Sequence, residues 1–150
     1  LRLSSAASDV YKRQPYKYST LMPGVMETLN FFYERKILMG ICTNKRQLVT
    51  EKLIQEMNLS KFFTTIVGAR DNIPLKPKPN MLILTMDSFN TTNKIFYMVG
   101  DTSNDIDAAK AANIKSIAVA GGYTNKDVKK LGATHTLKNM KDIIKLLSLS

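Results

Sequence analysis

From Pro15 onward, short apolar runs alternate with amphipathic stretches, and this alternation limits the possible folds more than any single residue does. Pro23-Gly24 opens a helix whose apolar positions Val25, Leu29 and Phe32 share one face. Residues 37–42 form a continuous apolar run, the pattern of a strand covered on both faces. A helix follows with Leu48, Leu53, Ile54 and Met57 expected inward, then a strand over residues 62–67 closed by Gly68. A loop containing Pro74, Pro77 and Pro79 leads to a helix that Asn80 is placed to cap, with Leu82, Ile83, Met86 and Phe89 inward. Residues 95–99 are the next strand, ending at Gly100, and an alanine-rich helix then runs to Asn113, a residue that tolerates left-handed backbone. A strand over 114–120 breaks at Gly121-Gly122. A short helix over 124–131 stops at Gly132, and a strand over 133–137 and a helix over 140–147 close the chain. The alternation predicts an α/β fold, a Rossmann-like parallel sheet with helices on both faces.

Three polar signals each follow a strand or its loop: Thr43-Asn44, Lys76, and the pair Asp101 and Asp105. Ligands of open parallel sheets bind beyond the carboxyl ends of the strands, so these distant residues are expected to converge. A hydroxyl, backbone N–H groups and a lysine suit phosphoryl oxygens, and carboxylates at strand ends suit a hard cation such as Mg2+. Gly100 is expected to permit a tight turn, with Ser103 or Asn104 capping the next helix. Asp107, Lys78 and the lone His135 read as a helix-end charge, a solvated loop charge and a structural residue.

Composition narrows the alternatives. A chain of 150 residues, 44% apolar and 23% charged, suits one soluble globular domain. No apolar run approaches the ~20 residues of a membrane span. The single cysteine, Cys42, sits within an apolar run, so it reads as a small buried hydrophobe in a reducing, cytoplasmic setting. The net charge of +10 raises a polyanion or nucleic-acid binder, but the lysines are dispersed and no nucleic-acid motif accompanies them. A basic surface equally favours small anionic substrates.

Residues 4–14, Ser-Ser-Ala-Ala-Ser-Asp-Val-Tyr-Lys-Arg-Gln, resemble a translated transposase-based sequencing-library adapter. Residues 1–14 are therefore set apart from residues 15–150, and the natural sequence is expected to begin near Pro15, partway through a gene.

Thr43, Lys76 and residues 100–105 resemble the second, third and fourth motifs of the haloacid dehalogenase-like hydrolases. Pro23-Gly-Val25, Cys42-Thr-Asn-Lys45, Lys76-Pro-Lys-Pro79, residues 100–109 and Gly121-Gly-Tyr123 follow one another as in its phosphoglycolate phosphatase-like group. The resemblance implies an Mg2+-dependent phosphatase acting on a small phosphomonoester, most nearly 2-phosphoglycolate, through an aspartyl-phosphate. It implies that Thr43 and the Asn44 backbone N–H bind phosphoryl oxygens and that Lys76 neutralises the phosphoryl group. Asp101 is implied to ligate Mg2+, with Asp105 completing the site directly or through water. The family's Asp-x-Asp nucleophile strand and helical cap would precede the region near Pro23. Asp9 has no aspartate two positions on, so it does not supply that motif. The resemblance thus implies a slot between the Thr43 and Asp101 strands, and a chain that alone is inactive and prone to aggregate. Other family phosphatases and a phosphosugar mutase share these motifs. A receiver-type signalling module is the remaining alternative, though the pattern of residues 101–109 suits it poorly.

Overall fold

The computed structural model describes residues 3–5, 19–92, 95–121 and 127–148. Within them lie β1 (Leu3–Ser5), β2 (Ser19–Leu21), α1 (Val25–Glu34), β3 (Gly40–Arg46), α2 (Gln47–Glu56) and β4 (Thr65–Ala69). They continue with α3 (Asn80–Asp87), β5 (Tyr97–Gly100), α4 (Ser103–Ala111), β6 (Lys115–Val119), β7 (His135–Leu137) and α5 (Asp142–Ser148). Strands β3 and β4 form one parallel pair, and β5, β6 and β7 form a second parallel sheet in that order. The expected parallel α/β architecture is therefore present, but in two separate sheets among the described residues. Strand β1 pairs antiparallel with β2, a three-residue main-chain ladder that needs little from side chains.

Helices cover both faces, as the strand sequences show. Successive strand side chains point to opposite faces, so neighbours should enter different cores. Ile41, Val99, Ile117 and Val119 pack with α1 and α5, through Val25, Leu29 and Ile143. Their neighbours Cys42 and Met98 pack instead with Leu82 of α3 and Ala108 and Ala109 of α4. The alanines let α4 lie close to the sheet. On the outer strands, reciprocal bonds between Ser116 and Thr134 fix the approach to β7: each backbone N–H donates to the other's hydroxyl.

Several sequence-derived boundaries shift. The run over 37–42 becomes a strand only at Gly40 and continues through Thr43-Asn44, while Ile37 and Leu38 remain exposed. The run over 95–99 likewise pairs only from Tyr97, and Ile95 is 70% exposed. Both runs look like buried strand throughout, yet their first residues lie beyond the ladder that would cover them. Leu48 is 78% exposed because the inward face of α2 is carried by Thr50, Leu53 and Ile54. Ile83 is exposed too, since Met81, Leu82 and Thr85 face inward from α3. Asn80 is the first residue of α3 and Pro79 occupies the cap position with no side-chain bond. Phe62 belongs to a 3-10 turn before β4, not to the strand.

Other expectations stand. Val25, Leu29 and Phe32 are buried, and Asn113 has φ 58° just beyond α4. The helix expected over 124–131 differs in its described part, where Val128–Leu131 form a 3-10 turn followed by Gly132 at φ 74°. The Gly122-Tyr123 part of the last motif lies outside the described residues.

Candidate functional site

The two parallel sheets are separated by a cavity of about 480 Å3 that runs along both β3 and β5. Its long walls are strand residues from Gly40 to Asn44 and from Tyr97 to Gly100, and helices α1, α3 and α5 close its two faces. It is therefore a slot between two parallel sheets, with helices on both sides. Thr43, Asn44, Lys76, Asp101 and Asp105, the residues singled out by sequence, all line it.

Lys76 is the centre of this cluster. Only 7% exposed, its ammonium donates to the Cys42 carbonyl at 2.7 Å and to Asp105 Oδ1 at 2.6 Å. Cys42 belongs to β3 and Asp105 to the helix after β5, so one side chain spans the carboxyl ends of the two sheets. A buried ammonium is costly to desolvate and persists where a carboxylate and further acceptors surround it. Its main chain is held as well. Asn44 Nδ2 donates to the Lys76 carbonyl at 2.9 Å, and the Lys76 N–H donates to Asn44 Oδ1 at 3.0 Å.

Asp105 is committed on both oxygens. While Oδ1 receives Lys76, Oδ2 accepts from the backbone N–H groups of Asp101 at 3.2 Å and Thr102 at 3.3 Å, and from the Thr102 hydroxyl at 3.0 Å. The Thr102 hydroxyl also accepts from the Asp105 N–H, completing a capping box at the start of α4. The helix cap is thus Thr102, and neither Ser103 nor Asn104. The Thr-x-x-Asp spacing was the sequence signal for it. Gly100 has a packing reason rather than a turn reason: a Cβ there would run into the Asp105 carboxylate. Asp101 is fully buried at the cavity wall.

Thr43 is half-buried, and its Oγ1 accepts from the Lys45 N–H at 3.1 Å, which leaves the hydroxyl hydrogen for another partner. Burial pushes the Cys42 thiol above its ordinary value of 9.0, with Lys76 offsetting part of the rise, so the thiol is a poor nucleophile at neutral pH. Cys42 packs as a small hydrophobe, as its sequence context suggests. Lys45, half-buried on the cavity wall, has its ammonium pKa lowered by burial. Asp107 and Lys78 are exposed, in keeping with solvated charges.

Among the described residues, no group of three or more His, Cys, Asp or Glu side chains gathers to hold a metal. The two carboxylates that line the cavity are Asp101 and Asp105, the latter already engaged on both oxygens. Mg2+ commonly takes one or two carboxylates and fills its remaining positions with water and phosphate oxygens, so the donor set fits that ion.

The sequence profile of the haloacid dehalogenase-like hydrolases matches residues 3–119, which include every residue of this cluster. The chain belongs to that family. Phosphoglycolate phosphatases from Pseudomonas syringae pv. syringae and Mesorhizobium japonicum are 33% and 36% identical over 126 and 118 residues. These alignments cover 82% and 79% of this chain but 46% and 49% of those proteins. This haloacid dehalogenase-like chain thus spans about half the length of the curated relatives it matches. The crystal structure of a predicted phosphoglycolate phosphatase from Haemophilus somnus 129PT superposes with a TM-score of 0.83 at 24% identity, over 91% of this chain and 61% of that one. That likeness concerns the fold.

Proposed function

We propose that this chain is the phosphate-gripping and metal-holding part of a phosphomonoester hydrolase whose substrate is a small phosphorylated metabolite, 2-phosphoglycolate. The observation that carries this reading is the convergence of Thr43, Lys76, Asp101 and Asp105 on one cavity at the carboxyl ends of β3 and β5. The identity with phosphoglycolate phosphatases supports the choice of substrate.

In this reading the Thr43 hydroxyl and the Asn44 backbone N–H donate to phosphoryl oxygens. Lys76 places its remaining N–H donor on the same group and offsets charge that grows during transfer. Asp101 is the direct metal ligand. Asp105, with both oxygens already engaged, reaches the ion through water. Mg2+, when bound, supplies Lewis-acid stabilisation of the phosphoryl oxygens. The nucleophile is an aspartate on an apolar strand seated in the slot, so the 150-residue chain alone gives no turnover. Its medium is the cytoplasm, consistent with a single, half-buried cysteine. Among the described residues no helix is long and apolar enough to cross a membrane.

Calorimetric titration of the chain with inorganic phosphate tests the reading. Binding should tighten with Mg2+, weaken in Lys76→Ala and Thr43→Ala, and lose its Mg2+ dependence in Asp101→Asn. Absence of phosphate binding in the wild-type chain with Mg2+ defeats the proposal. Mg2+-dependent hydrolysis of 2-phosphoglycolate by the chain alone would show that the nucleophile lies elsewhere than proposed. DNA binding with a steep salt dependence would instead assign the net positive charge to a polyanion partner.

A further inference from the structure

The loop that carries Lys76, residues 70–79, contains neither helix nor strand, yet it delivers an ammonium to a carbonyl of β3 and a carboxylate of α4. A lysine has a long flexible stem, so its head group is only as well placed as its backbone. One side chain fixes that backbone. The Asn44 amide bonds both the N–H and the C=O of Lys76, at 3.0 and 2.9 Å, as a neighbouring strand would. We propose that Asn44 acts through this side chain as the positioning residue for Lys76, a role distinct from any contact its backbone makes. This rests on the phosphatase reading for its purpose, but its geometry stands independently.

The consequence lies in the lysine's donors. An ammonium has three N–H groups, and among the described residues two are taken, by Cys42 and Asp105. The third is the one left for an anion in the cavity. With the Asn44 clamp in place it stays at the mouth between β3 and β5. Without the clamp, the loop gains freedom and the ammonium leaves its acceptors for water. Asn44 is also the first residue after Thr43, so phosphate donor and lysine clamp are consecutive on β3. A single strand end thereby sets the position of both.

The test is amine-selective acylation of the full chain, read residue by residue by mass spectrometry, with and without inorganic phosphate. In the wild-type chain Lys76 should react far more slowly than exposed Lys129. Asn44→Ala should accelerate Lys76 acylation about tenfold, the equivalent of losing two part-buried hydrogen bonds. Half-buried Lys45 reports general unfolding and should change little. Asn44→Asp keeps the acceptor for the Lys76 N–H but loses the donor, so it should fall between the two. It also serves if Asn44→Ala does not fold. Unchanged Lys76 reactivity in both variants, with a lowered thermal midpoint, would overturn the proposal and leave Asn44 a brace only. Faster Lys76 acylation in Asn44→Ala, without phosphate protection in the wild-type chain, would uphold the positioning role. That second result would count against the phosphatase reading alone.

Discussion

At the carboxyl end of the slot, Lys76 ties the Cys42 carbonyl of one sheet to Asp105 beside the other. At the amino end, the apolar side chains of Ile37, Leu38 and Ile95 stand at the surface. The same two strands border both ends, yet one is joined by directional, charge-assisted bonds and the other is lined by apolar side chains. Directional bonds fix geometry, which a site for phosphoryl groups requires. Apolar contacts fix only burial, so the amino end accepts whatever extended segment covers it. The contrast separates an end held by directional bonds from an end bounded by apolar side chains.

The largest effect should come from cutting the tie. Lys76→Met leaves the Asp105 carboxylate buried without its cation and should destabilise the chain by about 3–5 kcal/mol in urea unfolding. A loss under ~1 kcal/mol would mean that the sheets are joined mainly by apolar packing. Next comes the cap: Thr102→Ala removes the hydroxyl that both serves Asp105 Oδ2 and starts α4, at a cost of about 1 kcal/mol. At the amino end, Ile37→Thr with Leu38→Thr should change unfolding free energy by no more than about 0.5 kcal/mol. Light scattering should show slower association, because the exposed apolar mouth has been made polar. If stability falls markedly instead, the amino end is better packed than its exposure suggests.

The smallest effect concerns pH. The Cys42 thiol is held above 9.0 by burial, so the folded chain keeps a proton that the unfolded chain releases. Stability from this residue is complete below pH 9.0 and declines as pH rises toward the folded value. Cys42→Ala should flatten that alkaline decline. The rate of iodoacetamide alkylation in the native chain should continue to rise beyond pH 9.0. Lys76→Met removes a cation that lowers this pKa and should move the midpoint higher still.

Much of this arrangement was legible in the sequence, for identifiable reasons. Alternating apolar runs place every other strand residue on one face, so the two-faced helix cover follows from residues such as Ile41 and Cys42. The polar residues at strand ends converge because parallel strands share their carboxyl ends, and the family motifs mark the same positions. Less legible were features made by distant pairs. Nothing near Asn44 announces that its amide grips the backbone of a residue 32 positions later. The role of Asp105 in seating Lys76 is similarly a matter of three-dimensional closeness. Strand starts failed at Ile37 and Ile95 because hydrophobicity reports a preference for burial, not the presence of a partner to provide it. The cap failed differently: the Thr102-x-x-Asp105 pattern was available, and Ser103 and Asn104 competed with it as equally good cap formers.

Each parallel sheet is assembled from one uninterrupted stretch of chain: β3 and β4 fall within residues 40–69, and β5 to β7 within 97–137. No strand crosses from one to the other among the described residues. Among the described residues the two ladders are joined by shared side-chain cores, Ile41 with Ile117 and Cys42 with Met98, and not by strand pairing, so each ladder can open by itself. Amide exchange should reveal this as two protection classes, with the amides of β4 and β6 slow in their own groups. The edges along the slot, β3 and β5, should open first. A chain organised in this way can keep one half in order while the other rearranges, with Lys76 as the latch between them.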